Sequence, residues 1–335
     1  MTIKTNPYKA VSFVESAIQK ALDAAGYLIA DIKYDGVRGN IVVDNTANVS
    51  WLSRVSKPIP ALSHLDGFNA RWQRMLRDDR CFYRDGFMLD GELMVKGVDF
   101  NTSSGLLRTK NLKKKSELHA KYHDGDIGDK AFRLNTNYLA VNLYAILPLE
   151  VVESGEDFNV MTLLMQEHVR NMLPLLREYF PEIDWQAAES YEVYSMVELN
   201  ALYERVRSEG NEGLIVKDPF GIYRRGKKSG WFKMKPQEEA DGIIQGVVWG
   251  TEGLANEGKV IGFSVLLESG CVVDATNISR ELMDEFTTNV KEFGDDYYNG
   301  WACQISFMEE TPNGNLRHPS FTCFRGVEGD RGEKI

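Results

Sequence analysis

Lys33-Tyr34-Asp35-Gly36-Val37-Arg38 sets one lysine beside a tight Asp-Gly turn at the end of the apolar run 27–32. A strand that ends this way delivers an amine to a site. An amine attacks phosphorus only when neutral, so its ordinary pKa of about 10.4 must fall, which burial or neighbouring cations achieve. Other segments carry matching charge. Asp90-Gly91-Glu92-Leu93 closes the apolar run 87–89, and Glu212-Gly213-Leu214-Ile215-Val216-Lys217 reads as a turn entering a buried strand that ends in lysine. In Trp231-Phe232-Lys233-Met234-Lys235-Pro236 the period of two puts Lys233 and Lys235 on one strand face and Phe232 and Met234 on the other. Arg317-His318-Pro319-Ser320-Phe321 and Arg325 add guanidinium groups, which hold phosphate oxygens in pairs.

The elements that position these groups follow from periodicity. Val11, Val14, Ile18, Ala21 and Ala25 recur at helical spacing and Gly26 stops the helix, which predicts a helix feeding the Lys33 strand directly. No further binding domain is expected ahead of it. Between 108 and 130 apolar periodicity vanishes, which predicts a long mobile loop within reach of a polyanion. Helices are expected over 157–180 and 196–209, each followed by a turn and a strand. Beyond Pro236 the pattern changes to short strands at 242–249, 261–267, 271–275, 301–308 and 320–324, with a helix at 280–293 before the fourth. Five short strands so interrupted fit an OB-fold barrel.

A chain of 335 residues, 43% hydrophobic, buries a sizeable core and has room for two or three domains. Of the 39 Lys+Arg and 49 Asp+Glu, residues 236–335 carry 7 and 18, which leaves 32 and 31 for residues 1–235. The net charge of -10 therefore sits in the C-terminal part. Phosphate contacts are expected from N-terminal clusters such as Lys113-Lys114-Lys115 and Arg224-Arg225-Gly226-Lys227-Lys228. Neither a membrane span nor a signal peptide is indicated, and a cytoplasmic protein is expected. Cys81, Cys271, Cys303 and Cys323 form no Cys-x-x-Cys and read as reduced core thiols. His64, His119, His123, His168 and His318 show no ligand spacing with them, so no metal is assigned there.

At these segments the chain resembles the covalent nucleotidyltransferases, and among them the ATP-dependent DNA ligases. The Lys33 motif, Ser53-Arg54, Asp90-Gly91-Glu92-Leu93, the Tyr144 segment, Glu212 to Lys217 and the paired-lysine strand stand in that family's order. The start, Ile3-Lys4-Thr5-Asn6-Pro7, and the stretch 185–193 are similar to small ligases of short-tailed T-odd bacteriophages. The resemblance runs over essentially the whole chain. It implies an α+β fold: an ATP-grasp-like nucleotidyltransferase domain of antiparallel sheets with flanking helices at 1–235, then an OB domain at 236–335.

It implies residue roles as well. Lys33 becomes the nucleophile that takes AMP from ATP, Lys217, Lys233 and Lys235 the α-phosphate ligands, and Asp35 the group that orients the 3' hydroxyl. Arg38 and Arg54 lie near the nucleotide and the 5' phosphate, Tyr144 stacks on adenine, and Asp31 and Ile32 sit beside the base. Glu92 and Glu212 hold magnesium or the ribose hydroxyls, and Arg317 and Arg325 meet the pyrophosphate. The implied activity is sealing of nicked double-stranded DNA in replication, repair and recombination, by a monomer in the cytoplasm of an infected bacterial host. One departure stands out: the Asp-Lys pair that closes the family's last motif is replaced by Gly326-Val327-Glu328, which leaves the pyrophosphate contacts open to Lys334 or another basic residue. The nearest rival is a capping guanylyltransferase, which shares the lysine motif and OB domain but uses GTP. An RNA ligase is disfavoured by the paired OB domain and the whole-chain match, and a non-catalytic OB-type nucleic-acid-binding protein with a vestigial nucleotidyltransferase domain by the acidic barrel and the full set of motif lysines. A NAD-dependent ligase is disfavoured by length and by the absence of zinc-ribbon cysteines.

Overall fold

The computed structural model describes residues 3–126, 128–235, 238–276, 278–307, 316 and 318–325. The chain divides between Met234 and Lys235 into two compact units. In chain order the first begins β1 (Lys9–Ser12), α1 (Glu15–Ala25), β2 (Leu28–Lys33), β3 (Val37–Asp44), β4 (Asn48–Ser53), β5 (Gly67–Phe68), α2 (Ala70–Leu76) and β6 (Gly86–Val95). It continues with α3 (Phe100–Arg108), α4 (Glu117–Tyr122), β7 (Leu139–Pro148), α5 (Leu149–Ser154), β8 (Phe158–Met161) and α6 (Thr162–Tyr179). β9 (Asp184–Ala187), β10 (Ser190–Val193), α7 (Met196–Ser208), β11 (Gly213–Lys217), β12 (Ile222–Tyr223) and β13 (Lys227–Met234) complete it.

One sheet has the order β1-β13-β11-β2-β10. Its alternation sorts apolar from charged. Leu28, Ala30, Ile32, Leu214, Val216, Phe232 and Met234 pack on one face against Ile18 and Leu22 of α1 and Leu199, Leu202 and Val206 of α7. Asp31, Lys33, Lys217 and Lys233 occupy alternate positions and so take the opposite face. A second sheet, β5-β4-β3-β6-β7-β9, centres the larger core, with Val43, Phe87, Leu89, Ile146 and Leu147 fully buried and α6 laid across it through Met165, Val169, Met172 and Leu176. Both sheets depart from pure antiparallel pairing, since β1 runs parallel to β13 and β9 parallel to β7.

Four local expectations are corrected. Residues 9–12 form a strand rather than the start of the helix, because the edge of β13 offers them hydrogen bonds; α1 starts only at Glu15 and ends at Gly26, whose φ of 82° needs no β carbon. Residues 157–180 likewise open with β8, paired to β12, before α6. Asp90 and Glu92 lie inside β6 rather than at a strand end. The stretch 108–130 is no featureless loop: α4 occupies its middle, and Leu112 and Tyr122 are buried, as are Phe132 and Leu134 just after it. Its histidines satisfy backbone amides, His119 Nδ1 accepting from Lys113 N–H at 3.0 Å and His123 Nδ1 from Arg133 N–H at 3.1 Å. Polar composition concealed a segment held by side-chain acceptors.

The second unit carries β14 (Glu238–Trp249), β15 (Val260–Leu267), β16 (Val272–Thr276), α8 (Arg280–Phe293), β17 (Ala302–Phe307) and β18 (Ser320–Phe324). All pairs are antiparallel in the order β16-β15-β14-β17-β18, and the outer strands β16 and β18 touch, as an OB-fold requires. Phe263, Phe286, Tyr298, Phe321 and Phe324 fill its centre, most ring pairs meeting edge to face. Ser279 caps α8 by accepting from Leu282 N–H. Of the cysteines, Cys81 and Cys303 are buried and Cys323 is exposed. No described helix is long and apolar enough to cross a membrane.

Candidate active site

Lys33 is the last residue of β2, and the antiparallel register sets it opposite Gly213, the first residue of β11. Glu212 precedes that glycine, and its carboxylate pairs with Lys33 Nζ. Arg207 at the end of α7 fixes the turn by donating to the Asn211 carbonyl at 2.8 Å. Two residues back on the same face, Asp31 pairs with Lys217; both side chains are 3% exposed. Lys217 Nζ also lies 4.0 Å from the centre of the Trp231 ring, a cation–π contact that softens its burial. Lys233 stands on β13, opposite Ile215. Burial, then the positive charges of Lys33 and Lys227, push its ammonium below the ordinary lysine value, and Arg54 adds to the effect.

The facing sheet contributes acids. Arg38 grips Asp90 with two parallel bonds of 2.6 and 2.7 Å, while Asn40 and Tyr223 donate to the same carboxylate at 2.9 and 2.6 Å. Four donors on one buried carboxylate occupy both of its oxygens without a metal. Glu92, opposite Arg38 in the β3–β6 register, receives only the Tyr144 hydroxyl, at 3.3 Å, among the described residues. Burial holds its carboxyl up to about 7, with the nearby Glu212 charge adding and Arg38 and Lys33 opposing. The register shifts between Asp90 and Gly91, and Tyr144 falls at that bulge in β7. The Asp35-Gly36 turn runs so close to β6 that a β carbon on Gly36 would stand 2.7 Å from Glu92 Cγ, so only glycine lets the turn and the acid share this space.

A lysine-bearing sheet edge facing carboxylates suits transfer of a phosphoryl group, and the comparisons with known proteins specify which. The family model "ATP dependent DNA ligase domain" matches residues 7–235, and "DNA ligase C-terminal domain" matches 236–295 and 294–325. The chain is 70% identical to the DNA ligase of Escherichia phage T7 over all of both chains, and 65% identical to that of Enterobacteria phage T3 over 99% of each. The chain belongs to the ATP-dependent DNA ligases. Among solved structures it is similar to the ATP-dependent DNA ligase from bacteriophage T7 in complex with ATP, at 70% identity and a TM-score of 0.68, over 97% of this chain and 100% of that one. As a ligase of this family it uses ATP, acts on DNA, and seals nicks through a covalent lysyl-AMP and an adenylated 5' phosphate, the route general to the family.

The ligase's fold brings Asp31, Lys33, Arg38, Glu92, Tyr144, Glu212, Lys217 and Lys233 into one cleft of the first unit. Ile32 is turned to the α1 and α7 side, leaving its backbone at the cleft. Asp35 is half-buried in the turn after β2, and Arg54 is exposed in the turn after β4. Lys235 and Arg325 belong to the second unit, where Arg325 pairs with Asp241 at 3.1 Å. Arg317, Gly326-Val327-Glu328 and Lys334 lie outside the described residues. Arg225 is corrected: it is buried and donates to the carbonyls of Thr5 at 2.6 Å and Val151 at 2.9 Å, so it ties the N-terminal segment down rather than joining a basic surface. Sequence reasoning missed Asn40, Asp90, Ser190, Tyr223 and Trp231. Asp90 opens the Asp-Gly-Glu-Leu motif, but nothing local marks it as the partner of Arg38.

Proposed function

We propose that Lys33 is the amine that accepts AMP. What carries this reading is the register of β2 against β11, which sets Lys33 beside Glu212 with Lys217 and Lys233 on the same sheet face. The neutral Nζ attacks the α phosphorus of ATP, a P–N bond forms, and pyrophosphate leaves with the broken P–O bond. Lys217, Lys233 and Lys235 neutralise charge growing on the phosphoryl oxygens, an electrostatic and positioning role. Tyr144 offers a ring to adenine, Arg38 backs that ring at 4.8 Å, and Asp31 with the Ile32 backbone lies beside the base. Arg317 and Arg325 serve the pyrophosphate end. Arg54 meets the 5' phosphate, and Asp35 orients the 3' hydroxyl that displaces AMP.

Among the described residues no cluster of three or more His, Cys, Asp or Glu side chains is arranged to hold a metal ion. Glu92 and Glu212 nevertheless fit magnesium, which takes one or two protein carboxylates and completes its shell with water and substrate phosphates. Bound there, the ion neutralises phosphate charge; Glu92, a buried acid with a single hydroxyl donor among the described residues, is the group that gains most from a cation. The domains we assign are a nucleotidyltransferase domain at 1–235 and an OB domain at 236–335, acting as a monomer on nicked duplex in the cytoplasm of an infected bacterium. The test is Lys33→Ala incubated with α-labelled ATP. No label is expected on the protein, while sealing of a nick already carrying AMP persists. Label at wild-type yield overturns the assignment.

A further inference from the structure

Arg54 is exposed, and among the described residues no carboxylate pairs with it, so the backbone of its turn sets where the guanidinium stands. That turn closes a tight hairpin. Leu52 and Pro58 form a bridge, Ser56 N–H donates to the Ser53 carbonyl at 2.8 Å, and Ser53 N–H donates to the Lys57 carbonyl at 2.7 Å, which puts Arg54 and Val55 at the corners. Ser56 follows with a φ of 62°, a left-handed backbone that is costly for a residue with a β carbon and that glycine or asparagine usually supplies in a hairpin. What holds it comes from far away in sequence. Thr5, fully buried, donates its N–H to Ser56 Oγ at 2.9 Å, and the two hydroxyls share a further bond of 3.0 Å. Thr5 is held in turn by Arg225, which donates to its carbonyl at 2.6 Å and to those of its neighbours Lys4 and Asn6 at 3.2 and 3.1 Å. The charge of Arg54 is felt at Lys233, which sets the turn beside the phosphate-binding lysines.

We propose that Thr5 is a positioning residue for nick recognition: it locks Ser56 in the left-handed conformation, which fixes the turn and aims Arg54 at the 5' phosphate. The proposal rests on the reading of Arg54 as the ligand of that phosphate. Arginine grips phosphate oxygens through a planar fork, so its bonds depend on direction as well as distance. On a relaxed turn the same long side chain samples many directions and must be ordered when DNA binds. The lock orders its backbone beforehand, which reduces that cost. Thr5 therefore acts through Ser56 and touches no substrate. Binding of a nick without a 5' phosphate does not draw on it.

The test measures Kd for nicked duplexes ending in a 5' phosphate or a 5' hydroxyl, with the full-length enzyme carrying AMP and without magnesium, so that no strand is joined. Arg54→Ala is expected to lower the preference for the phosphate by roughly tenfold or more, the worth of a charge-assisted hydrogen bond. Thr5→Val, which keeps the shape and removes the hydroxyl, should lower it by about fivefold, with affinity for the 5' hydroxyl nick changed by less than about twofold. Ser56→Ala keeps the β carbon, loses the bond and should match that loss. Ser56→Gly should hold the preference within about twofold of wild type, because glycine takes the left-handed backbone unaided. A merely structural Thr5 gives another pattern, a lower melting temperature and weaker binding of both nicks with the ratio kept. That pattern overturns the proposal, and so does a loss in Ser56→Gly as large as in Ser56→Ala. Failure of the underlying reading shows separately, as a preference left intact by Arg54→Ala, and the proposal then falls with it.

Discussion

The two units bury opposite kinds of interior. Among the described residues Thr287 is the one buried polar side chain of the second, whereas the first buries Asp31, Asp90, Glu92, Lys217 and Arg225 with several neutral polar groups. A buried ion costs several kcal/mol unless a partner and further hydrogen bonds compensate it. The second unit avoids that cost with a cluster of aromatic rings. The first accepts it at the cleft, and each charge there has a partner from a different strand. The contrast shows where the molecule holds groups for stability and where it holds them for chemistry.

The contrast is broken most severely at Lys217. Lys217→Met leaves Asp31 buried without its counter-charge, and is expected to cost about 3–5 kcal/mol in urea unfolding and to slow adenylation by roughly 10²–10³. Adding Asp31→Asn restores much of the stability and none of the rate, which separates the fold's need for the pair from the reaction's need for the lysine. In the second unit Phe286→Ala removes a fully buried ring and is expected to cost about 3–5 kcal/mol, through packing alone. Hydrogen exchange should show the loss in amides of β15, α8 and β18, with those of β2 and β11 still protected.

A smaller effect sharpens the electrostatic side. Burial raises the Glu92 carboxyl from its ordinary 4.5 to about 7. Between those values the folded chain holds a proton that the unfolded chain releases, so stability falls as pH rises from 4.5 towards 7. Glu92→Gln should remove that fall, a gain on the order of 3 kcal/mol at pH 8 relative to wild type, read from metal-free unfolding curves. Smallest of all, Lys227→Glu should flatten the dependence of log Kd for nicked DNA on log salt by about one unit. Lys228→Glu should do less, because Lys228 already pairs with Asp157 at 2.9 Å.

Much of the second unit was legible because its signals are local. Period-two runs mark the strands and Ser279 marks the start of α8, so the expected helix and last strand coincide with Arg280–Phe293 and Ser320–Phe324. The lysines of the cleft were legible for the same reason, each sitting in a short motif. Their partners were not. Lys217 meets Asp31 across 186 residues of sequence, Tyr223 meets Asp90 across 133, and Ser190 meets Asp31 across 159, pairings set by strand register and sheet order. The stretch 108–130 misled because polar composition resembles a loop, while His119 and His123 were satisfying backbone amides. Arg225 misled in the opposite way, a charge in a basic run whose guanidinium is used up by carbonyls.

Whether Lys33 carries AMP is tested most directly on the adduct itself. The protein is incubated with ATP and magnesium in the absence of DNA, digested under conditions that preserve the P–N bond, and its peptides are mapped by mass spectrometry. AMP on the peptide containing Lys33, and on no other, is the expected result; AMP on Lys217, Lys233 or Lys235 instead, or no adduct at all, would contradict it.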